Sequence, residues 1–417
     1  MSVAAAGTIG SAQAPAAPAQ RLELALAVVF VALAPVNFLR LGGIYFTASD
    51  FFGIATLMLM LLNRRVPLAF FGPVTSLWLL SFLLFLGGLM LGSMLGGDPL
   101  AGLVVFVQYS YSLIIIPMVI SARRLDETLI LLRVFVFSIA AIMLHGAILV
   151  NFVSNADPTI VSPSGRLRSL IGRENAAAAM AAVAITFNVY LRLIGEIRIR
   201  YFVPSIAVLI YGLLLTGSNT GFGGAVIGVA FVLLLMGQVR AILVSLALSG
   251  LAVFVIAKFG ASLLPEVFAE RVLGALSSGD ISQAGTFEDR FDLIREATGV
   301  ANGTIFLGLG ADQYRTISVQ STPVHNTYLL VLAEGGLVSL LGLCGFFLTG
   351  TALGVAALTN PDTRVRGALT LANVVFFAVL LNAFAHFYAR FWHVPLVLAM
   401  SLSLPRGAQS MYPYRLS

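Results

Sequence analysis

The chain has 417 residues, of which 59% are hydrophobic and only 10% are charged. Soluble domains usually carry about 25% charged residues, so this composition excludes a soluble enzyme, a disordered protein and a fibrous repeat. The apolar residues form long unbroken runs, which favours helices over the short alternating segments of a β-barrel. The sequence therefore predicts an all-α polytopic membrane protein.

The N-terminal residues 1–20 are rich in Ala, Pro and Ser and carry no charged side chain. Because a signal peptide needs a basic segment before its apolar core, we interpret this region as a disordered cytoplasmic tail. The first apolar run, residues 22–39, is then expected to be a retained helix.

The remaining apolar runs predict about 12 transmembrane helices, since a hydrocarbon core of about 30 Å requires about 20 apolar residues per crossing. The predicted spans are residues 22–39, 44–62, 74–92, 100–120, 128–150, 175–195, 202–217, 221–237, 240–257, 336–358, 367–387 and 391–405. The chain thus divides into nine helices within residues 21–257, a large periplasmic loop over residues 258–324, a short helix plus three spans within residues 325–405, and a cytoplasmic tail over residues 406–417.

The basic residues predict the orientation of these helices. The net charge of +6 favours a membrane over a nucleic acid partner, because the arginines punctuate apolar runs and form no soluble basic face. The short connections on one side hold most of them, whereas the opposite short connections hold only Arg40 and Arg390. The positive-inside rule therefore predicts that both termini lie in the cytoplasm.

The other external positive charges fall in two longer loops, against the sorting bias, which suggests that an external ligand requires them. The first loop contains Arg166, Arg168 and Arg173, and the second contains Lys258, Arg271, Arg290, Arg295 and Arg315. Binding of anionic lipid headgroups is the alternative explanation. His386, Arg390 and His393 form a further external cluster, for which interfacial anchoring is the alternative to a role at the site.

The second loop is predicted to contain a helix that begins at Thr286. Residues 287, 291, 294 and 298 give it an apolar stripe, from which Arg290 projects towards an anionic partner or an internal salt bridge. Arg295 lies at the margin of the stripe, and Glu296 is expected on the solvent side. The glycine turn at residues 307–310 could bring backbone close to a phosphate, although so short a motif is weakly specific.

The most informative stretch is residues 321–328, STPVHNTY. Thr322 is a natural N-cap and Pro323 is favoured at the first helical position, which would put His325 in the first turn of a helix. The helix dipole disfavours an imidazolium there, so we expect a neutral imidazole that can accept a proton from a hydroxyl. A histidine that only anchors the helix is the alternative.

Two motifs resemble a known family. His325 and Asn326 precede Gly336 with nine intervening residues after Asn326, and this spacing resembles the signature of the bacterial O-antigen ligase and polymerase superfamily. Ser339 takes the next motif position, where the family has another small or aromatic residue. The segment LTGSNTG at residues 215–221 is similar to the serine-arginine-threonine-glycine turn of that family, with Asn219 in place of the usual arginine.

The resemblance implies a GT-C-like glycosyltransferase in the bacterial inner membrane that works at its periplasmic face. It implies transfer of a glycan from an undecaprenyl-diphosphate carrier to a sugar hydroxyl, on a glycan or a lipid A-core acceptor, without metal or other cofactor. The family histidine corresponds to His325 as base, and the loop arginine corresponds to Arg290 as diphosphate ligand. Further substrate contacts are expected from Arg166, Arg168, Arg173, Arg295, Arg315, Asn326, Asn219, His386 and Arg390.

Other functions remain open at the level of sequence. The single late loop and the histidine-asparagine spacing favour a ligase, whereas the three arginines of residues 151–174 favour a repeat-unit polymerase. A transporter or flippase of lipid-linked glycans would need charged residues along a central path, and these are scarce. A non-catalytic membrane scaffold would not require His325 or Arg290 for activity.

Overall fold

The computed structural model describes residues 18–38, 46–154, 156–259, 265–269, 287–385 and 389–405. Most of these residues are helical. The β-type pairing found among them is an isolated antiparallel bridge between Val161 and Leu167. The predicted all-α class is therefore confirmed.

Thirteen helices organise the described residues. In chain order they are Pro18–Leu33 (α1), Ala48–Leu62 (α2), Thr75–Leu95 (α3), Pro99–Ser121 (α4), Leu125–Phe152 (α5), Glu174–Leu193 (α6), Ile199–Leu215 (α7), Asn219–Leu235 (α8), Val239–Phe259 (α9), Phe287–Gly303 (α10), Thr327–Thr359 (α11), Arg364–Leu380 (α12) and Arg390–Leu402 (α13). Short helical turns at Gly72–Val74, Ser169–Ile171, Glu266–Phe268 and Tyr314–Ile317 lie between them. Each predicted span overlaps one of these helices.

Five helical segments are long and apolar enough to cross a membrane by themselves. They are Gly72–Leu95, Pro99–Ser121, Leu125–Phe152, Glu174–Leu193 and Thr327–Thr359. Shorter apolar helices occur at Ala48–Leu62, Ile199–Leu215, Asn219–Leu235 and Val239–Leu251. A membrane-embedded helical bundle follows, while the count of twelve crossings and the side of each terminus stay predictions.

Small residues let these helices approach closely, as is usual where lipid offers no hydrophobic driving force between helices. In the α3–α11 pair, a side chain at Gly88 would collide with Ser339 and with the backbone of Gly335. Ser339 also donates a hydrogen bond to the carbonyl of Phe85 at 2.7 Å. The small residue after Gly336 therefore serves the packing of α3 against α11.

Helix α6 forms the centre of the bundle. Every residue from Ala176 to Ala184 is buried, and most of them are alanines. Gly221 of α8 packs directly on Ala178, where a larger side chain would not fit. This alanine-rich core brings the starts of α6 and α8 to the same end of the bundle.

A kink divides α11 at Gly336, whose φ of 65° and ψ of −170° lie in a region that essentially only glycine adopts. The freed N–H of the next residue, Leu337, donates to the carbonyl of Ile305 at 2.7 Å. Leu309 and Gly310 donate to the carbonyls of Ala333 and Glu334 at 2.9 and 2.8 Å. The glycine turn at residues 307–310 thus docks on the kink, and these contacts account for it without a phosphate.

Hydrogen bonds join the loops and helix starts at one end of the bundle. Thr327, at the start of α11, donates its N–H to the carbonyl of Leu381 after α12. At the start of α8, the Ser218 hydroxyl lies 3.0 Å from Asn175 Oδ1 on α6. The opposite end carries its own charged cluster, in which Glu23 accepts from Asn63, Arg65 and Arg123.

Candidate functional site

His325 lies in a bend immediately before α11. The prediction that Thr322 caps this helix is wrong, because the helix begins at Thr327. Asn326 is the N-cap, and its side chain accepts a hydrogen bond from the N–H of Leu329 at 3.0 Å. An asparagine side chain at this position satisfies the open helix start, so the helix begins five residues after Thr322. His325 therefore precedes the first turn.

The imidazole of His325 is half-buried, and its Nδ1 atom is buried with no hydrogen-bond partner among the described residues. Burial, then the positive charges of Arg290 and Arg173, lower the pKa of His325 below its ordinary value of 6.5. Each of these effects disfavours the imidazolium. The expected neutral imidazole is thus supported. Its causes are burial and two arginines, and not the helix dipole on which the expectation was based.

Arg290 lies on the packed face of α10. Leu293 and Ala297 on the same face are 3% and 0% exposed, and they join Val324 in a small apolar cluster. The prediction of an apolar stripe through residues 291, 294 and 298 is wrong, since Phe291 is 59% exposed and Ile294 is 36% exposed. The face with small alanines fits against the α11 region, and it carries Arg290 towards His325.

The rest of α10 braces the loop that follows it. Glu296, expected on the solvent side, is half-buried and accepts hydrogen bonds from the Ser318 hydroxyl at 3.0 Å and the Val319 N–H at 2.9 Å. Arg295 is 83% exposed and lies 3.7 Å from Asp292 on its own helix. Its outward position separates it from the His325 neighbourhood.

Arg173 is the residue of the first loop whose charge reaches His325. It occupies the N-cap position of α6 with an extended backbone, and its side chain is exposed. Arg173 has no ion pair with any of the residues that the structure describes. Two segments far apart in sequence, at residues 173 and 290, therefore place arginines near one histidine.

The neighbouring arginines of the first loop are engaged in internal contacts. Arg166 donates to the Thr216 carbonyl at 2.8 Å and to Asn175 Oδ1 at 3.2 Å. Arg168 forms an ion pair with Glu174 at 2.9 Å. Both side chains thus hold the loop against the starts of α6 and α8, a role that the charge pattern did not reveal.

Asn219 begins α8 at the turn where the family usually has arginine. Ser218 is the N-cap of this helix, with its hydroxyl accepting from the Gly221 N–H at 3.2 Å. The Asn219 Oδ1 atom is buried without a hydrogen-bond partner within the described residues. Its polar atom therefore remains available, although an amide cannot replace the charge of a guanidinium.

Arg390 and Arg315 also have acidic partners. Arg390 is 9% exposed, and its Nε lies 2.7 Å from Oδ1 of the fully buried Asp50. Arg315 is more open, and its Nε lies 2.7 Å from Asp312. The sequence analysis missed Asp50, whose position in the first turn of α2 was the available signal. His386, predicted to contact substrate, lies outside the described residues.

The site can combine a proton acceptor with two cations at one location. His325 supplies the neutral imidazole, while Arg290 and Arg173 supply positive charge suited to phosphate oxygens. Within the described part of the chain, no group of three His, Cys, Asp or Glu side chains could hold a metal ion. This pairing of a base with two arginines suits chemistry on a phosphorylated substrate.

The comparison with known proteins agrees with these motifs. Residues 204–344 match the family described as O-Antigen ligase, and this range contains Asn219, Arg290, His325, Asn326 and Gly336. No curated protein matches the chain in sequence. The matched family consists of membrane glycosyltransferases of the O-antigen ligase and polymerase type, whose substrates are lipid-linked glycans and their acceptors. This match covers about a third of the chain and, together with the all-helical apolar fold, supports the resemblance to the O-antigen ligase superfamily.

Proposed function

We propose that the chain transfers a glycan from an undecaprenyl-diphosphate carrier to a sugar hydroxyl of an acceptor at the periplasmic face of the bacterial inner membrane. The observation that carries this proposal is the placement of Arg290 and Arg173 near a half-buried histidine, whose neutral form is favoured by burial and then by the charges of the two arginines. A histidine that only anchors a helix would not need two cations from segments so far apart in the sequence.

In the proposed reaction His325 accepts the proton of the acceptor hydroxyl as its oxygen attacks the anomeric carbon of the donor glycan. A new glycosidic bond forms there, and the bond between that carbon and the diphosphate oxygen breaks. The electron pair leaves with undecaprenyl diphosphate, whose negative charge Arg290 and Arg173 stabilise. Because the diphosphate is already a good leaving group, positioning, charge stabilisation and one base suffice.

The other residues expected to contact substrate have structural or peripheral roles in this proposal. Arg166 and Arg168 shape the first loop through their internal partners, and Asn326 caps α11. Asn219 offers its unpartnered Oδ1 to a donor group of the substrate. Arg295 and Arg315 lie further out and would meet the remote parts of a large glycan or the lipid headgroups.

The test is a reconstituted transfer reaction. Purified protein in lipid is given an undecaprenyl-diphosphate glycan and candidate acceptors, which are the same carrier-linked glycan for a polymerase and lipid A-core for a ligase. We expect a new glycosidic bond and one free undecaprenyl diphosphate per glycan transferred, with activity retained in chelator. Movement of the carrier-linked glycan across vesicles without any new bond would contradict the proposal and support a flippase.

A further inference from the structure

A cavity of about 280 Å³ lies between α3, α4 and α11. Its α4 wall runs from Asp98 to Tyr109, and its α11 wall runs from Thr327 to Glu334. Thr327 follows His325 by two residues, so the cavity adjoins the end of α11 that carries the histidine. Neither the transfer reaction nor the motifs of the sequence assign it a role.

The lining of this cavity differs in charge from the arginine side of the histidine. It contains three carboxyl groups and the amide of Gln108, and no Arg or Lys belongs to the lining. The three carboxyl groups belong to Asp98, Asp312 and Glu334. Oxygens of this kind accept hydrogen bonds from hydroxyl or amino groups, and the lining offers no Arg or Lys side chain to a phosphate. The apolar part of the lining, such as Leu89 and Val331, suits the C–H faces of a sugar ring.

Gln108 gives independent evidence that the cavity receives a ligand. It is only 3% exposed, and its Oε1 atom has no hydrogen-bond partner among the described residues. Buried polar atoms without a partner are rare in proteins, because they lose their bonds to water and gain nothing in return. A bound hydroxyl or amino group would supply the missing donor.

We propose that this cavity binds the acceptor sugar, as an unphosphorylated, hydroxyl-rich glycan residue held by Gln108 and the neighbouring carboxyl groups. This inference rests on the proposed transfer reaction and specifies its second substrate. The site then separates its two substrates by charge. Arg290 and Arg173 attract the diphosphate of the donor, and the cavity, which has no basic side chain and begins at Thr327, two residues after His325, binds the acceptor.

The test measures sugar binding in the absence of donor. Full-length protein in lipid nanodiscs is titrated with methyl glycosides of glucose, galactose, mannose and N-acetylglucosamine, and with their 6-phosphates, by saturation-transfer NMR. We expect at least one neutral glycoside to bind, and its 6-phosphate to bind at least 5-fold more weakly. Gln108→Leu should weaken neutral binding at least 5-fold, while the control Gln238→Leu, outside the cavity lining, leaves it unchanged.

Val104→Phe, which narrows the cavity without removing a polar group, is a second variant in case Gln108→Leu lowers the thermal unfolding temperature. It should also weaken binding. The proposal is overturned if no neutral glycoside binds, if the phosphates bind equally well, or if both cavity variants bind like the wild type. Transfer assays on the same samples separate the two claims: His325-dependent transfer with unaltered sugar binding in both variants would refute the cavity assignment alone.

Discussion

Arginines from the same predicted external loops have different roles because their partners differ. Arg166 and Arg168 bond to groups of their own loop and of the nearby helix starts, namely Thr216, Asn175 and Glu174. Arg173, only five residues after Arg168, acts instead on His325, together with Arg290 from a distant helix. Charge placement in the sequence identifies the group of arginines, and their tertiary partners separate the members that brace the loop from those near His325.

The comparison implies that the two sets should respond differently to mutation. Removal of an arginine that braces a loop should lower stability first, and activity only as a consequence. Removal of an arginine beside His325 should lower activity at unchanged stability, since its charge acts on substrate and base.

The largest expected effect concerns His325, the residue on which both arginines act. His325→Ala should lower glycan transfer by about 100- to 10,000-fold, the usual contribution of a general base. The measurement is the turnover of carrier-linked glycan in the reconstituted assay. His145→Ala is the control, since His145 lies on the exposed face of α5. Wild-type turnover by His325→Ala would refute the assigned base.

The second-largest effect on turnover is expected from Arg290 and Arg173, the arginines near His325. Arg290→Gln and Arg173→Gln should each lower turnover by about 10- to 1,000-fold, as expected when a charge-stabilising donor is removed from a developing anion. Arg168→Gln should instead lower the thermal unfolding temperature through loss of the Glu174 pair. If Arg168→Gln impaired turnover as strongly as Arg290→Gln at equal stability, the division into two groups would be wrong.

The kink of α11 at Gly336 should also contribute to the stability of the fold. Gly336→Ala should destabilise the fold by about 1–3 kcal/mol, because the backbone there is strained for any other residue and the new Cβ would meet the Phe306 carbonyl. Thermal unfolding in detergent measures the loss. Gly299→Ala is the matched control, since that site has open space and its helix should gain stability.

A smaller effect separates capping from substrate binding at Asn326. Asn326→Ala should cost about 1 kcal/mol of stability, while Asn326→Asp should retain the cap. Unfolding curves and turnover are measured on the same preparations. A loss of turnover in Asn326→Asp at wild-type stability would indicate a direct substrate contact and contradict a purely capping role.

The sequence predicted the helices well because long apolar runs depend on local composition and on the thickness of the bilayer. It failed where a choice depended on packing in three dimensions. The buried face of α10 is the one with Ala297 and Ala301, which fit closely, although Phe291 and Ile294 are more apolar. The position of His325 relative to α11 depended on a competition between two caps, Thr322 and Asn326, which local propensity does not resolve.

The cavity lined by Gln108 could not be predicted from the sequence, because it too depends on packing in three dimensions. Its walls come from α3, α4 and α11, and Asp98 lies more than 200 residues before Asp312 and Glu334 in the chain. No motif joins them. By contrast, the spacing of Asn326 and Gly336 was readable because one residue starts α11 and the other kinks it.

The central claim is that burial, together with the charges of Arg290 and Arg173, keeps His325 neutral for catalysis. The pH dependence of transfer tests it most directly. The kcat/KM of transfer should rise with pH as His325 loses its proton. The midpoint of this acid limb should lie below the ordinary histidine pKa of 6.5. Removal of a neighbouring positive charge favours the imidazolium and raises the pKa of His325. Arg290→Gln should therefore move the acid limb to higher pH, whereas Arg240→Gln, at the opposite end, should not. An acid limb that stays in place or moves to lower pH in Arg290→Gln would contradict the account.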